Sequence, residues 1–264
     1  MESVVAENEE GSKAKAEEAE TEIYTVGALD GSSVFHAIID VLGFLLYMHQ
    51  QIPSTVQDMT IEFDSSHSHY KHLEMELGSE VKASFRRKHL SEMRDIKRRI
   101  KSMDKLMTAL SNIQTAIKLI PSVEGVIFAL GSTPLRPRHL YILNFFHSTS
   151  LSMVTDDDFG RTKAAEALSR KAIRTLISKG VGSVTYPGPM KLFVLVKAPS
   201  SFNQPLHFLP KRDFRYKKKV VPLRLLFKSR NQDQETTAPT SEDLIWFQCR
   251  HVIKGLLMNI TPEE

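Results

Sequence analysis

From Met93 onward, apolar residues recur at 93, 96, 100, 103, 107, 110, 113, 117 and 120, in steps of three and four. A strand repeats every two residues, so this stretch reads as an α-helix with one buried stripe. Val81 and Phe85 extend the pattern backwards, and Pro121 stops it. A helix over 80–120 would be about 60 Å long, longer than a small domain is wide, so its first two or three turns are expected to fray or project. The face opposite the stripe is basic, with Arg94, Lys97, Arg98, Lys101 and Lys105.

The rest of the chain is organised around that rod. Ser32 or Ser33 supplies a cap for a helix over 34–51, apolar on most sides and therefore buried on most sides, which Pro53 ends. Residues 54–79 are weaker. Val56 to Phe63 suits a short strand, and the polar run 64–72 reads as a loop. Val123 to Leu130 is short, apolar and β-branched, a buried strand; a turn at Gly131–Pro134 leads to a second strand over 139–147. Thr155-Asp156-Asp157-Asp158 is expected to cap a helix over 159–179, with Ala164, Ala167, Leu168, Ala172, Ile173, Leu176 and Ile177 as its apolar residues and Gly180 and Gly182 as its stop. Strands follow over 191–197 and 220–228, and between them 202–216, with Pro205 and Pro210, reads as irregular with extended pieces. A polar loop over 229–242 precedes a terminal strand over 244–254. The order is not a βαβ alternation. It predicts an α+β protein, three helices packed on a mainly antiparallel sheet.

Charge divides the chain unevenly. Residues 1–22 hold eight Glu against Lys13 and Lys15, a net of −6, while the whole chain carries +4, so the other 242 residues carry +10. An acidic tail without aromatics cannot offset its ordering entropy, which makes 1–22 a disordered tail and 23–264 a single domain with loops near 64–79 and 229–242. At 41% hydrophobic residues, that domain has material for one sizeable core. A single cysteine, Cys249, excludes an internal disulfide and a cysteine-rich zinc site. The acidic start is unlike a signal peptide, and the run Val34–Met48 is interrupted by His36 and Asp40, so neither secretion nor a membrane span is expected.

Little in the chain assembles catalytic chemistry. His67, His69 and His72 have a spacing seen in zinc sites, but no cysteine or acidic ligand pattern accompanies them, and a solvated loop is the better reading. Asp156–Asp158 are better explained as a cap facing a helix dipole than as a magnesium site. Gly125 to Gly131 lacks the lysine and following helix of a phosphate loop. No metal, no cofactor and no enzymatic activity are expected. Two basic stretches remain, one along 86–105 and one over Lys211–Arg230, with nine Lys/Arg and one acid, Asp213. Binding of nucleic acid or chromatin through them is the weaker, alternative reading, because no recognised module accompanies the charge.

Three segments are more specific: Tyr47-Met48-His49-Gln50-Gln51-Ile52-Pro53, Phe208-Leu209-Pro210-Lys211, and Glu242-Asp243-Leu244-Ile245-Trp246-Phe247-Gln248 with Lys254-Gly255 after it. In order and spacing the chain resembles the Comet family, the adaptor that silences the spindle checkpoint; the strong similarity covers about 30 residues. The resemblance implies a HORMA-like fold with a mobile C-terminal safety belt. It also implies a non-enzymatic function: binding the closed conformer of a HORMA protein of the mitotic-arrest-deficient type, or a meiotic HORMA protein of the chromosome axis. The client would be presented to a hexameric AAA+ ATPase of the pachytene-checkpoint type, which converts it to the open state. A nuclear and cytoplasmic location, at kinetochore or spindle, follows. Carried over residue by residue, client contacts fall on Met48 and on Ile173 or Ile177, where the family has a polar residue and an exposed aromatic anchor respectively. The ATPase contact falls on Pro210 and Lys211. Leu244, Ile245, Trp246, Phe247 and Gln248 become an internal segment held by the belt as a client peptide would be. Strand alternation then sends Ile245 and Phe247 one way and Leu244 and Trp246 the other.

Overall fold

The computed structural model describes residues 20–25, 29–77, 83–146, 162–182, 188–217, 219–230 and 243–256. Among them are four helices and eight strands of one sheet, an α+β arrangement.

The chain enters through β1 (Glu20–Thr25), which lies parallel to β6. This corrects the tail boundary. Glu20, Thr21 and Glu22 are in the sheet, because Ile23 is buried and Glu22 pairs with Lys228 across the ladder. Residues 1–19 lie outside the described residues. Helix α1 (Gly31–Met48) is capped by Asp30, whose carboxylate accepts from Ser33 N at 2.6 Å, rather than by Ser32 or Ser33, both of which are inside the helix and buried. By length and hydropathy α1 could cross a bilayer, but most of it is buried against protein. Val34, Ile38, Val41, Leu42, Leu45 and Leu46 belong to the central core.

The strand and loop expected over 54–79 are instead a helix, α2 (Val56–Leu77), which raises the helix count from three to four. Thr55 starts it: its hydroxyl accepts from Asp58 N at 3.2 Å and donates to the Asp58 carboxylate at 2.7 Å, a capping box. Its buried residues, Met59, Ser66 and Leu73, are seven apart and face α3 (Ala83–Lys118). Cross-helix pairs Glu62–Arg99, His69–Glu92 and Glu76–His89, at 3.6, 3.5 and 3.4 Å, set the two helices antiparallel. The early turns of α3 therefore do not project alone; α2 lies along them. Of the stripe read from sequence, Ile96, Met103, Leu110, Ile113, Ile117 and Ile120 are buried and Met93, Ile100 and Met107 half-buried, whereas Phe85 is exposed; Leu106, outside that stripe, is buried as well.

The sheet runs β1-β6-β3-β2-β4-β7-β5, with β8 beside β4. Its strands are β2 (Gly125–Thr133), β3 (Arg136–Phe145), β4 (Lys191–Pro199), β5 (Phe208–Lys211), β6 (Leu223–Ser229), β7 (Leu244–Cys249) and β8 (Ile253–Lys254). Only the β1–β6 and β3–β6 pairings are parallel. Alternate residues face opposite sides. Val126, Phe128 and Leu130 join the helices in the main core, while Ile127 and Ala129 join a second, smaller one on the far face. A strand buried on both faces reads as an unbroken apolar run, which is why β2 was plain in the sequence.

Helix α4 (Lys163–Ser178) packs on α1. Its cap is Thr162, whose hydroxyl accepts from Ala165 N at 3.1 Å, so the helix starts four residues later than expected. Asp156–Asp158 lie outside the described residues, as does most of the 229–242 loop. The core face of α4 is Ala165, Leu168, Ala172 and Leu176; Ala164, Ala167 and Ile177 are exposed.

Candidate functional site

Strand β7 does not simply end the sheet. On one side it pairs antiparallel with β4, from Leu195↔Gln248 to Pro199↔Leu244. On the other it pairs antiparallel with β5, from Phe208↔Cys249 to Lys211↔Trp246. The edge strand beyond it therefore comes from earlier in the chain. After Lys211 the chain turns onto the far face of the sheet and re-enters as β6, beyond β3. Five strand spacings separate β5 from β6, about 24 Å, a distance that the residues between Lys211 and Leu223 reach easily when extended. Lys217 N donates to Leu135 O at 3.1 Å on the way, fastening this strap to the β2–β3 turn. Phe214, Tyr216 and Val220 of the strap pack on Ile127, Ala129, Leu140, Ile142, Phe193 and Leu195.

The alternation expected within β7 is present. Ile245, Phe247 and Cys249 face the main core, and Trp246 faces the second core beneath the strap. Phe247 is 4% exposed and meets Phe202 edge-on at 5.2 Å, with Phe208 against Phe202 at 5.4 Å. Trp246 is only half-buried, its ring edge-on to Phe214 at 6.4 Å. The deeper anchor is thus the phenylalanine. Both ends of β7 are tied: Ser200 N donates to Asp243 O, and Arg250 N to His207 O, each at 2.8 Å.

Gln51 performs a second fastening that sequence reasoning missed. It is 1% exposed. Its amide nitrogen donates to His49 O at 2.7 Å and Gly188 O at 3.3 Å, its amide oxygen accepts from Met190 N at 2.5 Å, and its own carbonyl accepts from Leu256 N at 2.8 Å. Gly255 lies so close to this side chain that a Cβ there would collide with it. A glutamine between a buried helix end and a proline was the available signal. Tyr47–Pro53 and Lys254–Gly255 thereby meet, and Phe208–Lys211 meets Leu244–Gln248 in the ladder. The three segments form one connected region around β7.

The proposed client contacts sit at the joined C-terminal ends of α1 and α4, where Met48 packs on Gly182, a glycine with φ +93°. Met48 and Ile173 are half-buried and Ile177 is 53% exposed, so Ile177 presents the most free apolar surface of the three. Tyr47 is exposed on the same turn of α1. Pro210 and Lys211 are exposed on the edge strand β5, where a proline's missing N–H leaves no ladder bond unmade. A groove of about 440 Å³ opens beside them, lined in part by Phe202, Arg212 and Arg250.

Buried titratable groups elsewhere are structural in character. His49 Nε2 and the Tyr141 hydroxyl are 2.6 Å apart, and the His139 ring lies 4.2 Å from that of His49. Burial, then the neighbouring His139, pushes His49 down to about 4, and burial pushes Tyr141 up. Neither titrates near neutrality, where a general base is useful. Burial likewise pushes the Cys249 thiol up to about 11, leaving it protonated and inert. His67, His69 and His72 are on α2 and engaged with Phe63, Glu92 and Glu76 respectively, and no metal-binding group of three or more His, Cys, Asp or Glu occurs among the described residues. Gly125 to Gly131 is sheet, not a phosphate loop.

No known protein-family model matches this chain, and no curated protein matches it.

Proposed function

We propose that this protein is a HORMA-like adaptor of the Comet type, which binds the closed conformer of a related HORMA protein and presents it to a hexameric AAA+ ATPase for opening. The observation that carries the reading is the clasp on β7. A strand late in the chain lies between β4 and an earlier edge strand, with a strap crossing the sheet above it. That is how an extended peptide is held by strand addition, with ladder bonds giving affinity and side-chain pockets setting register. A chain that fills its own groove is fixed in one shape and has no need of an external peptide. What it then offers is surface: the α1–α4 end for the client, with Ile177 as the apolar contact, and the β5 edge with Pro210 and Lys211 for an acidic patch on the ATPase.

The client class, mitotic or meiotic, is set by experiment. Size-exclusion and pull-down against a client locked in the closed state should give a stoichiometric complex, and Ile177→Glu should abolish it without lowering the melting temperature. With client and adaptor together, ATP turnover by the hexamer should rise, and Lys211→Glu should remove the rise while sparing client binding. An adaptor that binds closed and open client equally, or leaves turnover unchanged, would refute the coupling.

A further inference from the structure

We infer that the solvent face of α3 is a sequence-independent contact for duplex DNA. The helix buries the Ile96–Met103–Leu110 side and lies along α2. At 100° per residue, Arg87, Arg94, Lys97, Arg98, Lys101 and Lys105 fall on the opposite side, and all six are exposed. From Arg87 to Lys105 the stripe is about 27 Å long, on a rigid rod. Its one acid partner among the described residues is Asp95, 3.1 Å from Arg98; Asp104 flanks it, and Arg99, paired with Glu62, belongs to the α2 side. Helix α2 has the contrary charge, five acids against Lys71, so the hairpin has a cationic back and an acidic front.

The composition of the stripe selects the partner. Protein interfaces bury aromatic and aliphatic anchors at their centre and are depleted of lysine, whereas this surface is an almost unbroken line of cations. Leu90 is the one exposed large aliphatic side chain among these cations, too little to centre a protein interface; a row of cations matches a partner with a regular line of anions, and nucleic-acid interfaces are the strongly positive class. No aromatic side chain lies in the stripe on which an unpaired base could stack, which favours the duplex over a single strand. Contacts confined to phosphates carry no sequence information.

The test is fluorescence anisotropy of a labelled 30-bp duplex with the full chain, across a salt series. Binding should weaken with salt at a log–log slope of about −4.5 to −5.5, the value for five or six phosphate contacts. Arg94→Ala/Arg98→Ala/Lys101→Ala should lose at least tenfold in affinity at low salt and reduce the slope by about 3. Its far-UV dichroism and melting temperature should be unchanged, since the three side chains touch no core. Lys217→Ala/Lys219→Ala on the strap should bind as wild type. The inference is overturned if the wild type does not bind duplex at 50 mM salt. It is equally overturned if the α3 triple variant binds normally, if the strap variant is the one that loses affinity, or if single-stranded DNA or polyglutamate at equal charge competes better than duplex.

Discussion

Phe247 and Trp246 are neighbours on one strand, and truncating them should separate the two faces of the clasp. Phe247 is 4% exposed and packs edge-on against Phe202, which in turn meets Phe208, in the main core. Phe247→Ala removes its burial and leaves a cavity, which costs about 3–5 kcal/mol, edge-to-face contact included. Trp246 is the larger side chain but only half-buried under the strap, so Trp246→Ala should cost about half as much, roughly 1.5–2.5 kcal/mol. In a chain of this size each kcal/mol lowers the melting temperature by about 2–4 °C. Scanning calorimetry should therefore show Phe247→Ala falling by about 6–20 °C and Trp246→Ala by markedly less. A reversal of that order, or a Phe247→Ala melting temperature within about 2 °C of wild type, would mean that β7 is not seated in the core as described.

Acid should weaken the fold through His49. The folded protein keeps it neutral down to about pH 4, whereas the unfolded chain titrates near 6.5. Between these values the unfolded state binds more protons, so the contribution is full above pH 6.5 and is lost as pH falls through the window, by roughly 3 kcal/mol. Urea unfolding of His49→Phe at pH 7.5, 5.5 and 4.5 should show a flatter pH dependence than wild type, and an identical slope would remove His49 from the account. Gln51→Leu should cost about 2–4 kcal/mol, because the part-buried Met190 N–H and the buried His49 carbonyl lose their partner; hydrogen exchange should quicken at Met190 more than at Leu256, whose acceptor is the main-chain carbonyl that leucine keeps, and unchanged protection at Met190 would refute the fastening.

Legibility in the sequence followed the number of faces an element buries. Helix α1, the second half of α3 from Met103 onward and strands β2, β3 and β4 contact the core, so their periods appear without knowledge of the neighbours. Helix α2 does not. Its buried side is Met59, Ser66 and Leu73, a thin seam with a serine in the middle, and the surface that makes it worth burying belongs to α3. Propensity alone favoured strand at Val56–Phe63, and packing overrode it. The Thr55–Asp58 box was the one local sign, and it was readable. Strand β1 was hidden for the same reason. Glutamates at positions 20 and 22 resemble the tail before them until Asn144 and Lys228 are placed opposite. The order of strand faces in β7 was legible because alternation is local, but the depth of each face was not. Trp246 is only half-buried because the second core on which it packs is roofed by a strap, whereas the first is roofed by helices.

The three segments behind the family resemblance are far apart in the chain and touch in the fold, and their chemistry shows why they belong together. A strand held by its own chain must be stopped from slipping, since a shift of one residue would exchange Phe247 for Trp246 in the main core. The β5 ladder sets the register from one side through Phe208↔Cys249 to Lys211↔Trp246, but ladder bonds repeat and would serve a shifted strand nearly as well. Gln51 does not repeat. It holds Leu256 N and packs on Gly255, a position where any larger residue collides, so it fixes the chain just past β8 to the end of α1. The same α1 terminus exposes Tyr47 and packs the half-buried Met48 on Gly182, at the face proposed for the client. Seating the C-terminal strand and shaping that face are therefore one structural event, and a Gly255→Ala variant, which displaces Gln51, should lose client binding in proportion to its loss of stability. Full client affinity in a Gly255→Ala protein with a lowered melting temperature would show that the two are independent.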